Sequence, residues 1–65
     1  MIQETRIEIC VVAAYANGDR FCIAKFMHEE DARRYKRSRP REDYLKWELW
    51  LRTESIEDGV RWEAL

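Results

Sequence analysis

Two cysteines, one histidine and a run of arginines are the residues of this chain whose types could do chemistry. Cys10 and Cys22 could close a disulfide or share a metal. His28 could act as a general base if a nucleophile and an orienting carboxylate stood beside it. Its neighbours are Glu29, Glu30 and Asp31, the acidic opening of a predicted helix, so His28 reads as a polar residue near a helix N-cap. The chain has two glycines, both in predicted turns, which leaves no glycine loop to cradle a phosphate. No pair of carboxylates stands out on an apolar face. No catalytic, metal-binding or cofactor-binding residue is therefore assigned, and enzymatic activity is not expected.

The basic run is the most pointed feature. From Arg33 to Arg41 the sequence holds six basic residues and no acidic one; Tyr35 lies inside the run, and Tyr44, Trp47 and Trp50 follow it. Arginines beside aromatic rings suit contacts to phosphates and bases. The same run would also complement the negative end of a helix dipole as a solvated face. Net charge is −1, and a dedicated nucleic-acid binder usually carries a strong basic excess. Arg33, Arg34, Arg37, Arg39, Arg41, Tyr44 and Trp50 are the candidates for an anion or a partner.

These residues must be positioned by secondary structure. Residues 7–15 are rich in β-branched side chains, Asn17-Gly18 follows, and a second apolar stretch runs from Phe21 to Met27. Asn-Gly is a strong hairpin signal, because a type I′ turn needs positive φ at both central residues. Read as a two-residue loop, it sets Ala16 against Asp19, Val12 against Ile23 and Ile9 against Phe26. That register puts Cys10 and Cys22 on opposite faces, which excludes a disulfide or a shared metal. Both thiols are expected to be free.

From His28 to about Ser38 acids come first and bases last, as the helix dipole favours, and Glu29–Arg33 and Glu30–Arg34 are i,i+4 pairs. Ala32 and Tyr35 form the buried stripe, and Pro40 prevents continuation. Beyond it, Leu45, Trp47, Leu49 and Leu51 alternate with Lys46, Glu48, Trp50 and Arg52, which favours a strand over a helix, with Trp50 breaking the polar row. Asp58-Gly59 signals a second hairpin that would pair Ser55 with Trp62 and place Val60, Trp62 and Ala64 beneath the helix with Leu49. A short terminal helix capped by Ser55 is the alternative for this last segment.

The expectation is one small α+β domain over residues 1–65, ordered ββαβ(β), with an N-terminal antiparallel hairpin and one helix packed on the sheet. The chain of 65 residues is 46% apolar and 38% charged, which supports a core inside a charged shell. Its longest apolar run, Ile9 to Ala16, is too short to span a bilayer, and the first six residues do not resemble a signal peptide, so a cytoplasmic protein without a membrane partner is expected. The hairpin register leaves an apolar face with Val12, Phe21, Ile23 and Met27 uncovered, which predicts a homodimer or small homo-oligomer packed through that face. The functional expectation is a non-enzymatic protein-interaction, inhibitory or accessory module of bacterial or phage type. It would act through an aromatic and arginine-rich surface. The alternative is a nucleic-acid or nucleotide binder using residues 33–41.

Overall fold

The computed structural model describes residues 5–65. Residues 1–4, and with them most of the segment read above as unlike a signal peptide, lie outside the described residues. The elements are β1 (Thr5–Tyr15), β2 (Arg20–Phe26), α1 (Glu29–Arg37), β3 (Leu45–Ser55) and β4 (Gly59–Ala64). They form one antiparallel sheet in the order β2-β1-β3-β4 with the helix on one face, an α+β arrangement in the expected ββαββ order.

The position of β1 explains its composition. A strand flanked on both sides and apolar on both faces reads as a near-continuous hydrophobic run. Ile9, Cys10, Val11, Val12 and Ala13 are all buried. On the helix side, Ile9, Val11 and Leu49 close around Ala32, with Phe26, Tyr35, Trp47 and Leu51 at the margin. Ala32 is fully buried, and its single methyl lets α1 sit close to the sheet. The helix carries Glu29, Glu30 and Asp31 in its first turn and Arg34, Lys36 and Arg37 in its last. The Glu29–Arg33 pair forms at 2.7 Å. Arg34 pairs with Asp31 at 3.7 Å rather than with Glu30. His28 stands at the N-cap position without a side-chain capping bond. The residues after the helix are tied back by Trp47, whose Nε1 donates to the Pro40 carbonyl at 3.0 Å.

Both hairpin loops differ from expectation in length, and the difference changes what each face carries. In the first, the Tyr15 amide donates to Asp19 and the Gly18 amide to Tyr15, so the loop is Ala16-Asn17-Gly18. Only Gly18 has positive φ (98°) there, which excludes type I′. A three-residue loop with a left-handed glycine is the alternative hairpin solution. The pairing then runs Ala14↔Arg20, Ala13↔Phe21 and Val12↔Cys22 before a bulge between Val11 and Val12 restores Val11↔Ala24 and Ile9↔Phe26. The expected Ile9–Phe26 pairing holds. The expected Val12–Ile23 pairing does not, because Ile23 is the inserted residue. In the second hairpin Ser55 pairs with Gly59 (φ 72°), not with Trp62. Residues 60–64 are strand, and the shift is odd, so Val60, Trp62 and Ala64 move to the face away from the helix, opposite Glu54, Arg52 and Trp50.

Candidate functional site

Among the described residues no element covers the sheet face away from α1. The register assigns it Glu8, Cys10, Val12 and Ala14 from β1, Arg20, Cys22 and Lys25 from β2, Lys46, Glu48, Trp50 and Arg52 from β3, and Val60, Trp62 and Ala64 from β4. Apart from Lys46, these charged side chains are held in two networks. At one end Arg20 reaches across β1 to Glu48 at 3.0 Å, and Trp50 Nε1 donates to the same Glu48 oxygen at 2.9 Å. The indole N–H, and after it Arg20, hold the Glu48 carboxyl below its ordinary range. At the other end Glu8 accepts from Arg52 at 3.2 Å and faces Lys25 at 4.0 Å, while Arg52 also reaches Glu54 at 3.3 Å. The Arg52 guanidinium lies 5.9 Å from the centre of the Trp62 ring.

Between the networks lies a shallow apolar depression of ≈ 440 Å³ lined by Val12, Arg20, Cys22, Trp50 and Trp62. Trp62 is half exposed. Cys10 and Val12 are buried beneath this surface although no helix or loop lies over them. Their cover is the long side chains of the flanking strands, beginning with Trp50 and Lys25 opposite Cys10.

The three-residue loop also corrects the cysteine geometry. It sets Cys22 opposite Val12, onto the same face as Cys10 on the adjacent strand, before the bulge shifts the register. Both thiols are free, Cys10 buried and Cys22 exposed. Burial, and then the contact with Cys22, push the Cys10 thiol up to about 11. Opposite faces therefore cannot be the reason the two remain unjoined.

The residues expected to form one self-association surface do not lie together. Val12 is in the centre of the open face. Phe21 pairs with Ala13 and lies on the helix side, where it meets Tyr15 edge-on at 5.8 Å. Ile23 sits in the bulge. Met27 follows β2 and lines a separate depression with Ile7 and Ile56.

The arginine candidates also divide. Arg33 and Arg34 are engaged with Glu29 and Asp31 on the helix. Arg37, Arg39 and Arg41 join Lys36 and Lys46 in one groove of ≈ 500 Å³, with Glu42, Leu45 and Trp47 completing the wall. Arg39 stacks 4.2 Å above the Tyr35 ring. Of the twelve basic residues, five are held by carboxylates; none of the five in this groove is, among the described residues. Tyr44 is outside the groove, stacked on Tyr15 at 6.3 Å, and its hydrogen bond to Glu42 raises its hydroxyl above the ordinary range. Trp50 lies on the open face. The sequence reading missed Trp62 and Cys22 for that face because it assumed two-residue loops. It missed Lys46 for the groove because only spatial proximity joins it to the helix end.

Among the described residues no cluster of three metal-ligating side chains occurs, and no helix is long and apolar enough to cross a membrane. No family model, curated protein or solved structure matches the chain, so its residues carry the functional argument alone.

Proposed function

We propose that the chain is a non-enzymatic protein-binding module that docks a partner on its open sheet face. The observation that supports this reading is the composition of that face. Its centre is apolar and aromatic, and its charges other than Lys46 are paired with one another at both ends. A partner meeting it displaces water from Trp62 and Trp50 without having to break into an unpaired charge at the centre. The mixed-sign rim suits a protein surface and does not suit a polyanion.

A second reading is favoured by a different observation, the convergence of five cations around the single carboxylate of Glu42 in the groove at the end of α1, none of the five ion-paired among the described residues. Those groups would hold phosphate oxygens of a nucleotide or nucleic acid.

The two readings are separated by capture from a host lysate with and without nuclease, using wild type, Trp62→Ala and the double variant Arg37→Glu/Arg39→Glu. Trp62 and Arg37 are exposed and Arg39 is partly buried against Tyr35; circular dichroism checks that both variants fold. Under the first reading Trp62→Ala loses the captured protein, while nuclease and the double variant leave it in place. Capture that vanishes with nuclease, falls steeply with salt and is lost in the double variant would transfer the function to the groove.

A further inference from the structure

We infer that β4 is the self-association edge of this protein: it pairs antiparallel with β4 of a second copy, centred on Trp62, and joins two sheets into one of eight strands. The reading is independent of what docks on the open face.

The backbone sets which groups are available. The Leu65 amide donates to the Leu49 carbonyl at 3.0 Å, so residue 65 points its backbone polar groups toward β3. Antiparallel pairing alternates with a period of two. Residues 59, 61 and 63 therefore also face β3, and Val60, Trp62 and Ala64 turn their N–H and C=O groups to the outside of the sheet. Every residue of β4 is exposed. The β3–β4 ladder is regular throughout, with no shift in register. A regular edge with free backbone groups is a template for another strand. The other edge of the sheet differs. β2 carries the bulge at Ile23, which twists and interrupts its ladder, one of the devices that keep an edge from pairing.

The side chains then select the second copy and its register. Two-fold pairing must match outward-facing residues with outward-facing residues, so the registers that overlap most of the strand have the axis through residue 61, 62 or 63. Through residue 61 it sets Arg61 against Arg61. Through residue 63 it sets Glu63 against Glu63. Through Trp62 it sets Arg61 of each copy against Glu63 of the other, twice by symmetry, with Val60 against Ala64. Neither Arg61 nor Glu63 makes an ion pair within the described residues of its own chain. Opposite charges directly across a strand pair attract and like charges repel. Only the Trp62-centred register satisfies both charges, and its partner must carry the same sequence in the reverse direction. The axis is perpendicular to the sheet, so both open faces stay on one side and the two Trp62 rings become neighbours across the seam.

The test is sedimentation velocity at micromolar to sub-millimolar concentration on four samples. Wild type is expected to dimerise. Arg61→Glu alone and Glu63→Arg alone should each dimerise at least roughly tenfold more weakly, because each sets like charges opposite one another twice. The double variant Arg61→Glu/Glu63→Arg should recover wild-type affinity. An equimolar mixture of the two single variants should form a heterodimer, since each then meets its complement. Recovery in the mixture shows that the single variants are folded. A monomeric wild type, or single variants that dimerise as tightly as wild type, would overturn the inference. Weakening in the single variants without recovery in either the double variant or the mixture would overturn the register.

Discussion

Cys10 and Cys22 show how much one extra loop residue decides. After a two-residue loop they would be three positions out of register and on opposite faces. With the three-residue loop they share a face, one buried and one exposed. In the folded protein a thiol reagent should therefore modify one group quickly, at Cys22, and the second only on unfolding. Two groups reacting at equal rates without denaturant would contradict the burial of Cys10. The pH dependence follows from the same burial. The folded-state value of Cys10 is raised from 9.0 to about 11, so the folded state holds a proton that the unfolded chain releases. This contribution is complete below pH 9 and is lost as pH rises from about 9 through about 11. It amounts to at most about 2–3 kcal/mol. Denaturant titrations of wild type and Cys10→Ala across this range should differ in slope, with the variant flatter. Identical slopes would show that the thiol is not shielded.

At the scale of elements, each segment was legible for a local reason. Acid-first, base-last ordering around Ala32 marks α1, and the alternation from Leu45 to Arg52 marks β3 and correctly sends Trp50 to the side away from the helix. What was not legible is the number of residues in each loop. A glycine with positive φ serves a two-residue loop and a three-residue loop equally well, so Asn17-Gly18 and Asp58-Gly59 locate the turns without counting them. An odd error in that count exchanges the faces of a whole strand. This is why two-residue loops send Phe21 and Trp62 to the wrong sides and assemble the candidate surface from residues that do not meet. The strand order has no local signature, since β1 and β3 are brought together by the sheet alone. The role of the bulge can be isolated. Removing Ile23 would set Ala24 opposite Val11 and Cys22 opposite Val12 in one regular ladder, with every other side chain on its present face. Deletion of Ile23 is expected to leave a folded protein whose stability changes by about 1 kcal/mol or less. Loss of the cooperative denaturation transition would mean that the twist supplied by the bulge is required for α1 to pack. Replacing Ala32 by Leu, in contrast, forces extra volume between α1 and β1 and should cost about 1–3 kcal/mol.

The whole molecule is long and thin, 48 × 25 × 15 Å, a single sheet with a nine-residue helix on one side. So small a core supplies only a few kcal/mol on its own. Association through β4 adds stability by mass action, because a contact made only by folded chains shifts the folding equilibrium. The melting temperature of wild type should rise with protein concentration, and that of Arg61→Glu should rise less over the same range. A wild-type melting temperature independent of concentration would remove the edge contact from the stability of the molecule. The open face gains from the same contact, since two copies set Trp50 and Trp62 of each chain along one continuous surface.

β1 is at the centre of the sheet but precedes every other element in the chain. Its neighbour β2 follows a three-residue loop, whereas β3 reaches it only after the helix, with Thr5 meeting Ser55 at the far end of the pairing. During synthesis the first hairpin therefore closes early and then waits. The helix can cover Ile9 and Val11 from one face, but the second edge of β1 has no strand partner until residues 45–55 have emerged. Closing so large a loop costs entropy before any contact repays it, which makes β1–β3 docking the slow event of folding. A chain cut short before Leu45 would present that hairpin with an unpaired central strand, the kind of species that aggregates or is held by a chaperone.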